Sequence, residues 1–262
     1  MNRIDKCFED LKAENKKALI TFITAGDPDM ETTERLALEM FDRGADIIEL
    51  GVPFSDPIAE GVTIQRSSLR SLNGGTNLSK IFGAVKNIRT KTDKPLVLMM
   101  YINTVFVYGT EKFFSQCREY GIDGVIIPDM PYEERGEVLE YAEKYGVHSI
   151  NLVSPTSHDR IKEIAANSRG FLYCVSSTGV TGTRSEFTTD FDSFFGTIKK
   201  YVKCPYAVGF GISSPEQAKK MSSYCDGAIV GSAIVKLVEA KGRDSIKDVG
   251  EFVHSLKEAM LF

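Results

Sequence analysis

The 262-residue chain has no apolar run long enough to cross a bilayer. Its longest strongly apolar stretch, Leu96 to Ile102, falls far short of the ~20 residues a spanning helix needs. The N-terminal MNRIDKCFEDLKAENKK alternates charge with apolar residues, so neither a signal-peptide core nor an acid-poor transit peptide is expected there. Basic charge is not in excess. Lys and Arg number 32 against 36 Asp and Glu, a net charge of −4, which argues against non-specific nucleic-acid binding. The five cysteines, Cys7, Cys117, Cys174, Cys204 and Cys225, are odd in number, widely spaced and include no CxxC pair. Neither a disulfide framework nor a zinc site fits them, and reduced thiols in a cytoplasmic protein are expected. HExxH, GxSxG and Walker A motifs are all missing, and acidic residues do not cluster at metal-ligand spacing, so no metal site is expected.

What is present is a globular composition, 42% hydrophobic and 26% charged, with enough length to bury a large core. Eight short, weakly alternating apolar runs predict strands: Ala18–Ala25, Asp46–Val52, Leu96–Ile102, Gly124–Pro128, Ser149–Ser154, Phe171–Ser176, Tyr206–Phe210 and Ala228–Val230. Such runs suit parallel strands covered on both faces. Amphipathic stretches lie between them, at 29–42, 77–89, 132–145, 215–221 and 245–260. Ser214 is a natural N-cap, with Pro215 at the first helical position. Ile4, Phe8 and Leu11 mark a short helix ahead of the first strand. Strand–helix alternation eight times over, without a linker, predicts an α/β fold: one (β/α)8 TIM-barrel domain over residues 1–262 with an extra N-terminal helix. Two connections read as long loops. One is Pro53–Asn77 after the second strand. The other, Ser177–Asp190 after the sixth, has the Gly, Thr and Ser content of a mobile lid.

In such barrels, chemistry sits on the loops after the strands. Glu49 lies within an otherwise apolar strand, where burial raises a carboxyl's pKa and suits it to general acid work. Glu60 follows in the next loop, on the same face of the barrel. From spacing alone a plainer reading stays open, with Glu49 bonded to a backbone amide and Glu60 a solvated loop charge. VGFGISSP ends the seventh strand and VGSAIV the eighth. Glycines there let amides approach an anion beside a helix N-terminus, although plain turn glycines also explain them. Tyr101 and Tyr173 are core residues or pocket walls. Of the histidines, His148 begins a strand at the far end of the barrel, His254 lies on the last helix, and His158 reads as a solvated or capping residue.

Taken together, ELGVPFSDPIAEG, TFITAGDP, GVTG and GFGISSPEQ resemble the tryptophan synthase α subunit, and the resemblance runs from Ala18 to about Leu237. It implies retro-aldol cleavage of indole-3-glycerol phosphate to indole and glyceraldehyde 3-phosphate, with neither metal nor organic cofactor on this chain. It places the catalytic carboxyls on Glu49 and Glu60. It places a loop threonine on Thr181, phosphate contacts on Gly182, Gly211, Gly231 and Ser232 with Phe210 nearby, and an indole pocket on Phe22, Tyr101 and Tyr173. It also implies a β-subunit partner that carries pyridoxal phosphate, in an αββα heterotetramer. Asp56, Pro57, Asp129 and Pro131 fall at the contact positions.

Two departures stand out. Glu60 replaces the usual Asp and is one methylene longer, and Val62 replaces the usual Pro, losing a φ restraint. A displaced carboxylate costs rate, so lower or more partner-dependent activity is expected. A stand-alone lyase releasing free indole, a weakly catalytic regulator of β, and another phosphosugar barrel are the competing readings.

Overall fold

The computed structural model describes residues 1–157, 159–175, 191–209 and 211–261. Among these, nine parallel strands form one sheet: β1 (Ala18–Thr24), β2 (Ile47–Gly51), β3 (Leu96–Met99), β4 (Gly124–Ile126), β5 (His148–Ile150), β6 (Leu152–Val153), β7 (Leu172–Val175), β8 (Tyr206–Gly209) and β9 (Gly227–Val230). The order is β5-β4-β3-β2-β1-β9-β8-β7-β6. Its two outer members are consecutive halves of one chain segment, so the sheet curls into a barrel that closes through that segment. The stretch expected as a single strand at 149–154 is therefore broken at Asn151. Its carbonyl still accepts from the Tyr173 amide at 2.9 Å, and its side-chain amide donates to Ser168 Oγ at 3.1 Å.

The helices are α1 (Arg3–Ala13), α2 (Met30–Asp42), α3 (Val62–Asn73), α4 (Leu78–Arg89), α5 (Ile102–Tyr108), α6 (Thr110–Tyr120), α7 (Gly136–Tyr145), α8 (Arg160–Ala166), α9 (Phe191–Tyr201), α10 (Pro215–Ser222), α11 (Ser232–Lys241) and α12 (Ile246–Ala259). The Ser214 side chain caps α10 as the sequence indicates, and Asp29 and Asn77 cap α2 and α4 in the same way. Leu36, Met40, Phe82, Val85, Val253 and Leu256 fill the layer between helices and sheet, while Ile20, Ile47, Val97, Ile126, Ala207 and Ile229 fill the barrel interior.

Three boundaries differ from expectation. The connection at 53–77 contains helix α3. Its inward face is Thr63, Ile64, Ser67, Ser68 and Ser71, whereas Val62 and Leu69 point outward. A helix that buries hydroxyls and exposes aliphatics has no apolar stripe to read. Strand β3 stops at Met99, because Ile102 already opens α5, its amide held by Asp129 Oδ1 at 2.9 Å. The helix expected over 132–145 begins as a 3-10 turn at Tyr132–Glu134 before α7.

The N-terminal end of the barrel is closed by α1, whose Ile4 and Phe8 pack into the interior cluster. Carboxylates near that rim hold the starts of strands: Asp46 accepts from the Leu19 amide at 2.7 Å and Asp123 from the Leu96 amide at 2.9 Å. Asp123 is also salt-bridged to Arg89 at 2.7 Å and to Arg3 at 3.0 Å. Burial lowers the Arg89 pKa to about 10, against the pull of Asp123. Removing one partner of a buried pair strands the other charge. Asp123→Ala is therefore expected to destabilise the fold by about 3–5 kcal/mol, read from urea unfolding; a loss under about 1 kcal/mol would show that Arg89 finds water instead.

Candidate active site

Strand β2 places Glu49 at the C-terminal end of the barrel interior, in register with Phe22 of β1 and Val97 of β3. The alternation that buries Ile47 points Glu49 inward as well. Its carboxyl is completely buried, and among the described residues neither oxygen has a hydrogen-bond partner. The plainer expectation, a bond to a backbone amide, is not met. Desolvation raises its pKa to about 8, so the group is largely protonated at neutral pH. The same burial, together with the nearby Glu49 carboxyl, pushes the Tyr173 phenol well above its usual range.

Glu60 sits just before α3, 9% exposed. Its Oε2 accepts from the Tyr101 hydroxyl, which in turn accepts from the Ala59 amide at 2.8 Å. Burial raises the Glu60 pKa, the Tyr101 hydroxyl opposes that shift, and the charge of Asp129 adds to it. Gln65 Nε2 donates to the Glu60 carbonyl at 2.8 Å, and Tyr101 stacks on Phe54 at 4.8 Å.

One cavity is lined by Phe22, Glu49, Glu60, Tyr173, Gly211, Gly231 and Ser232, residues drawn from strands far apart in sequence. Tyr101 lines an adjoining pocket that shares Phe22 and Glu60. Met99, Ile64, Leu152 and Ile212 are among the residues of its apolar wall. Sequence reasoning missed these four, since each reads as ordinary core. Gly209 makes room for Tyr173, because a Cβ there would lie 2.5 Å from the phenol oxygen. Gly211 has φ +85°, a conformation that other residues resist. Gly231 and Ser232, which line the cavity, form the N-terminus of α11, and no side chain caps its first amides. Thr181, Gly182, Phe210 and His158 lie outside the described residues, as does the stretch 177–190 expected as a lid.

Asp56 and Pro131 are exposed, and Pro57 and Asp129 are half-buried, in the loops after β2 and β4. At the opposite end, His148 Nε2 meets Asp5 at 2.9 Å, and His254 lies on α12. Among the described residues, no group of three or more His, Cys, Asp or Glu gathers to hold a metal ion, and no helix is long and apolar enough to cross a membrane.

A parallel α/β barrel with a desolvated acid and two glycine-flanked strand ends at its C-terminal mouth defines a barrel enzyme of the acid–base type. The comparisons narrow the class. Residues 8–260 match the family model of the tryptophan synthase alpha chain. The tryptophan synthase alpha chain of Thermoanaerobacter sp. (strain X514) is 54% identical, over 99% of this chain and 100% of that relative, and the one from Clostridium kluyveri (strain ATCC 8527) is 48% identical over 99% and 100%. Among solved structures, tryptophan synthase subunit alpha from Legionella pneumophila superposes with a TM-score of 0.89 at 36% identity, covering 99% of this chain and 98% of that one. A chain from the Pyrococcus furiosus tryptophan synthase a2b2 complex superposes with a TM-score of 0.85 at 38% identity, covering 92% and 98%. The chain belongs to the tryptophan synthase alpha chain family.

The Glu49 environment has a consequence for stability. In the unfolded chain the group ionises near 4.5, and in the fold near 8. Below both values it is protonated in either state and costs nothing. Between them the unfolded chain sheds a proton that the folded chain keeps, so the residue destabilises the fold increasingly up to about pH 8. Relative to Glu49→Gln, the wild type is expected to lose up to roughly 4–5 kcal/mol over that window. Denaturant unfolding at pH 5 and pH 8 checks this; a difference independent of pH would mean that Glu49 titrates as a solvated acid.

Proposed function

We infer that the chain cleaves indole-3-glycerol phosphate to indole and glyceraldehyde 3-phosphate, the alpha half-reaction of tryptophan biosynthesis, as a carbon–carbon lyase. The observation that carries the chemistry is the buried, proton-bearing Glu49 facing the cavity.

Breaking the bond at indole C3 needs C3 protonated first, since the ring then accepts the bonding electrons as they leave. Glu49 gives that proton. As the C–C bond breaks, the substrate hydroxyl becomes the aldehyde carbonyl and its proton returns to Glu49, so one carboxyl serves both steps with no net proton change. A pKa near 8 fits an acid that must hold its proton near neutrality and also recover one. Protonated C3 leaves positive charge at the ring nitrogen. Glu60 accepts the indole N–H and stabilises that charge, and the Tyr101 hydroxyl favours its ionised form. Phe22 and Tyr173 supply apolar walls for the ring. Gly211 in the loop after β8, and Gly231 and Ser232 at the N-terminus of α11, supply amides for the phosphate, far enough from the breaking bond to orient it. Thr181, Gly182 and Phe210 complete that set in this reading. No metal or organic cofactor is needed on this chain for these steps.

The partner in this reading is a β subunit carrying pyridoxal phosphate, assembled as αββα in the cytoplasm. Asp56, Pro57, Asp129 and Pro131 stand on the face it covers. Ile58, Phe106 and Val107, exposed at 76%, 47% and 80%, lie in the connections after β2 and β3 at that same end. Indole release measured with and without the cognate β subunit tests the whole reading. Activity raised by β and reduced by at least about 10²-fold in Glu49→Gln is the expected result. Turnover retained by Glu49→Gln would remove Glu49 from the chemistry.

A further inference from the structure

The TFITAGDP segment ends in a turn whose Asp27 is 3% exposed, yet Asp27 does not line the cavity. Arg70 of α3 meets it with a fork: Nε donates to Oδ1 and Nη2 to Oδ2, each at 2.8 Å. The third nitrogen, Nη1, donates to Glu239 Oε1 of α11 at 3.0 Å. Arg66, one turn earlier on α3, reaches the same carboxylate from Nε at 2.8 Å and from Nη2 at 3.1 Å. Two hydroxyl contacts join the helix to β1: Thr24 Oγ1 with Ser67 Oγ, and Ser71 Oγ donating to the Ala25 carbonyl, both at 2.6 Å. Helix α3 is thus fixed on one side to the turn after β1 and on the other to α11.

Both helices lead into the site. Glu60 directly precedes the Gly61 N-cap of α3, and Gln65 ties its carbonyl to the first turn of that helix. Helix α11 starts at Ser232, and Glu239 lies two turns on, about 10 Å along the axis. Phe22, Ile64 and Val235 form a small apolar cluster between β1, α3 and α11. Three apolar side chains resist separation but tolerate sliding. A bidentate guanidinium contact is directional and fixes the register.

We propose that Arg70 is a positioning residue for the cleavage. By bridging Asp27 and Glu239, it holds the Glu60 carboxylate at a fixed spacing from the anion-facing start of α11. It touches no reacting atom. The spacing it maintains is the distance a substrate must span between its ring nitrogen and its phosphate. This inference rests on the lyase reading above.

The test uses the full chain with its cognate β subunit and indole-3-glycerol phosphate, with urea unfolding run on the same preparations. Arg70→Met is expected to lower kcat about tenfold or more, because a small displacement of a charge-stabilising group is costly. Inorganic phosphate should still inhibit within about twofold of its wild-type constant, since the amides of α11 are untouched. Arg70→Lys keeps the charge but loses the fork, and should recover part of the rate. Glu239→Gln, at a partly exposed position, breaks only the link between α3 and α11 and decides the matter if Arg70→Met does not fold. It should lower kcat by about threefold or more, and the double variant should be no slower than Arg70→Met alone. Wild-type kcat in either single variant, rate losses that multiply in the double, or a kcat loss matched by lost folded fraction would overturn the proposal. If the wild-type complex itself releases no indole, the lyase reading fails and the proposal falls with it. If it does and the variants equal it, only the proposal fails.

Discussion

Desolvation of one carboxyl is the constraint on which the site depends. Glu49 shares the barrel interior with Ile47, Val97 and Ile229, and no described group satisfies its oxygens. Left ionised there it would be strongly disfavoured, so the fold keeps it protonated. The strands around it pair in one continuous parallel sheet, so the burden falls on a single side chain. Glu60 has the opposite surroundings. It lies at the rim and meets the Tyr101 hydroxyl, which opposes the upward push of burial on its pKa, whereas nothing described opposes that push at Glu49. Two carboxyls with environments that differ in this way divide naturally into a proton carrier and a charge stabiliser.

The two ends of the barrel do different work. At the N-terminal end, α1 plugs the interior, and Asp46 and Asp123 fasten strand starts and neighbouring helices. Those residues are spent on stability. At the C-terminal end, Glu49, Glu60, Gly211, Gly231 and Ser232 line the cavity. The ion pairs from Asp27 through Arg70 to Glu239 are an exception, since they lie at the functional end yet touch no lining atom. Their place between α3 and α11 makes them part of the geometry of the site.

The two departures from the family pattern have local accommodations. The longer Glu60 side chain ends on Tyr101, whose hydroxyl also holds the Ala59 amide, so the loop and the carboxylate are anchored at one point. Val62 occupies the first turn of α3 and is 63% exposed, a position where proline is readily accepted and where valine disturbs no packing.

The sequence by itself determined the alternation of strands and helices, the Ser214 cap of α10, and the candidate carboxyls. Each of these is encoded locally, by the side-chain period, by a residue at a helix start, or by a charge in an apolar run. Helix α3 escaped because its buried face is made of Ser and Thr, and the hydroxyls that hide it from a hydropathy pattern are the groups that bind it to β1. Only the tertiary structure decided that the fifth barrel strand breaks at Asn151, that Met99, Ile64, Leu152 and Ile212 face the cavity, and that Tyr101 engages Glu60 rather than only packing beside it. It alone decided the state of Glu49 as well. A carboxyl in an apolar strand is neutral or charged according to what closes around it, and those neighbours come from strands far away along the chain.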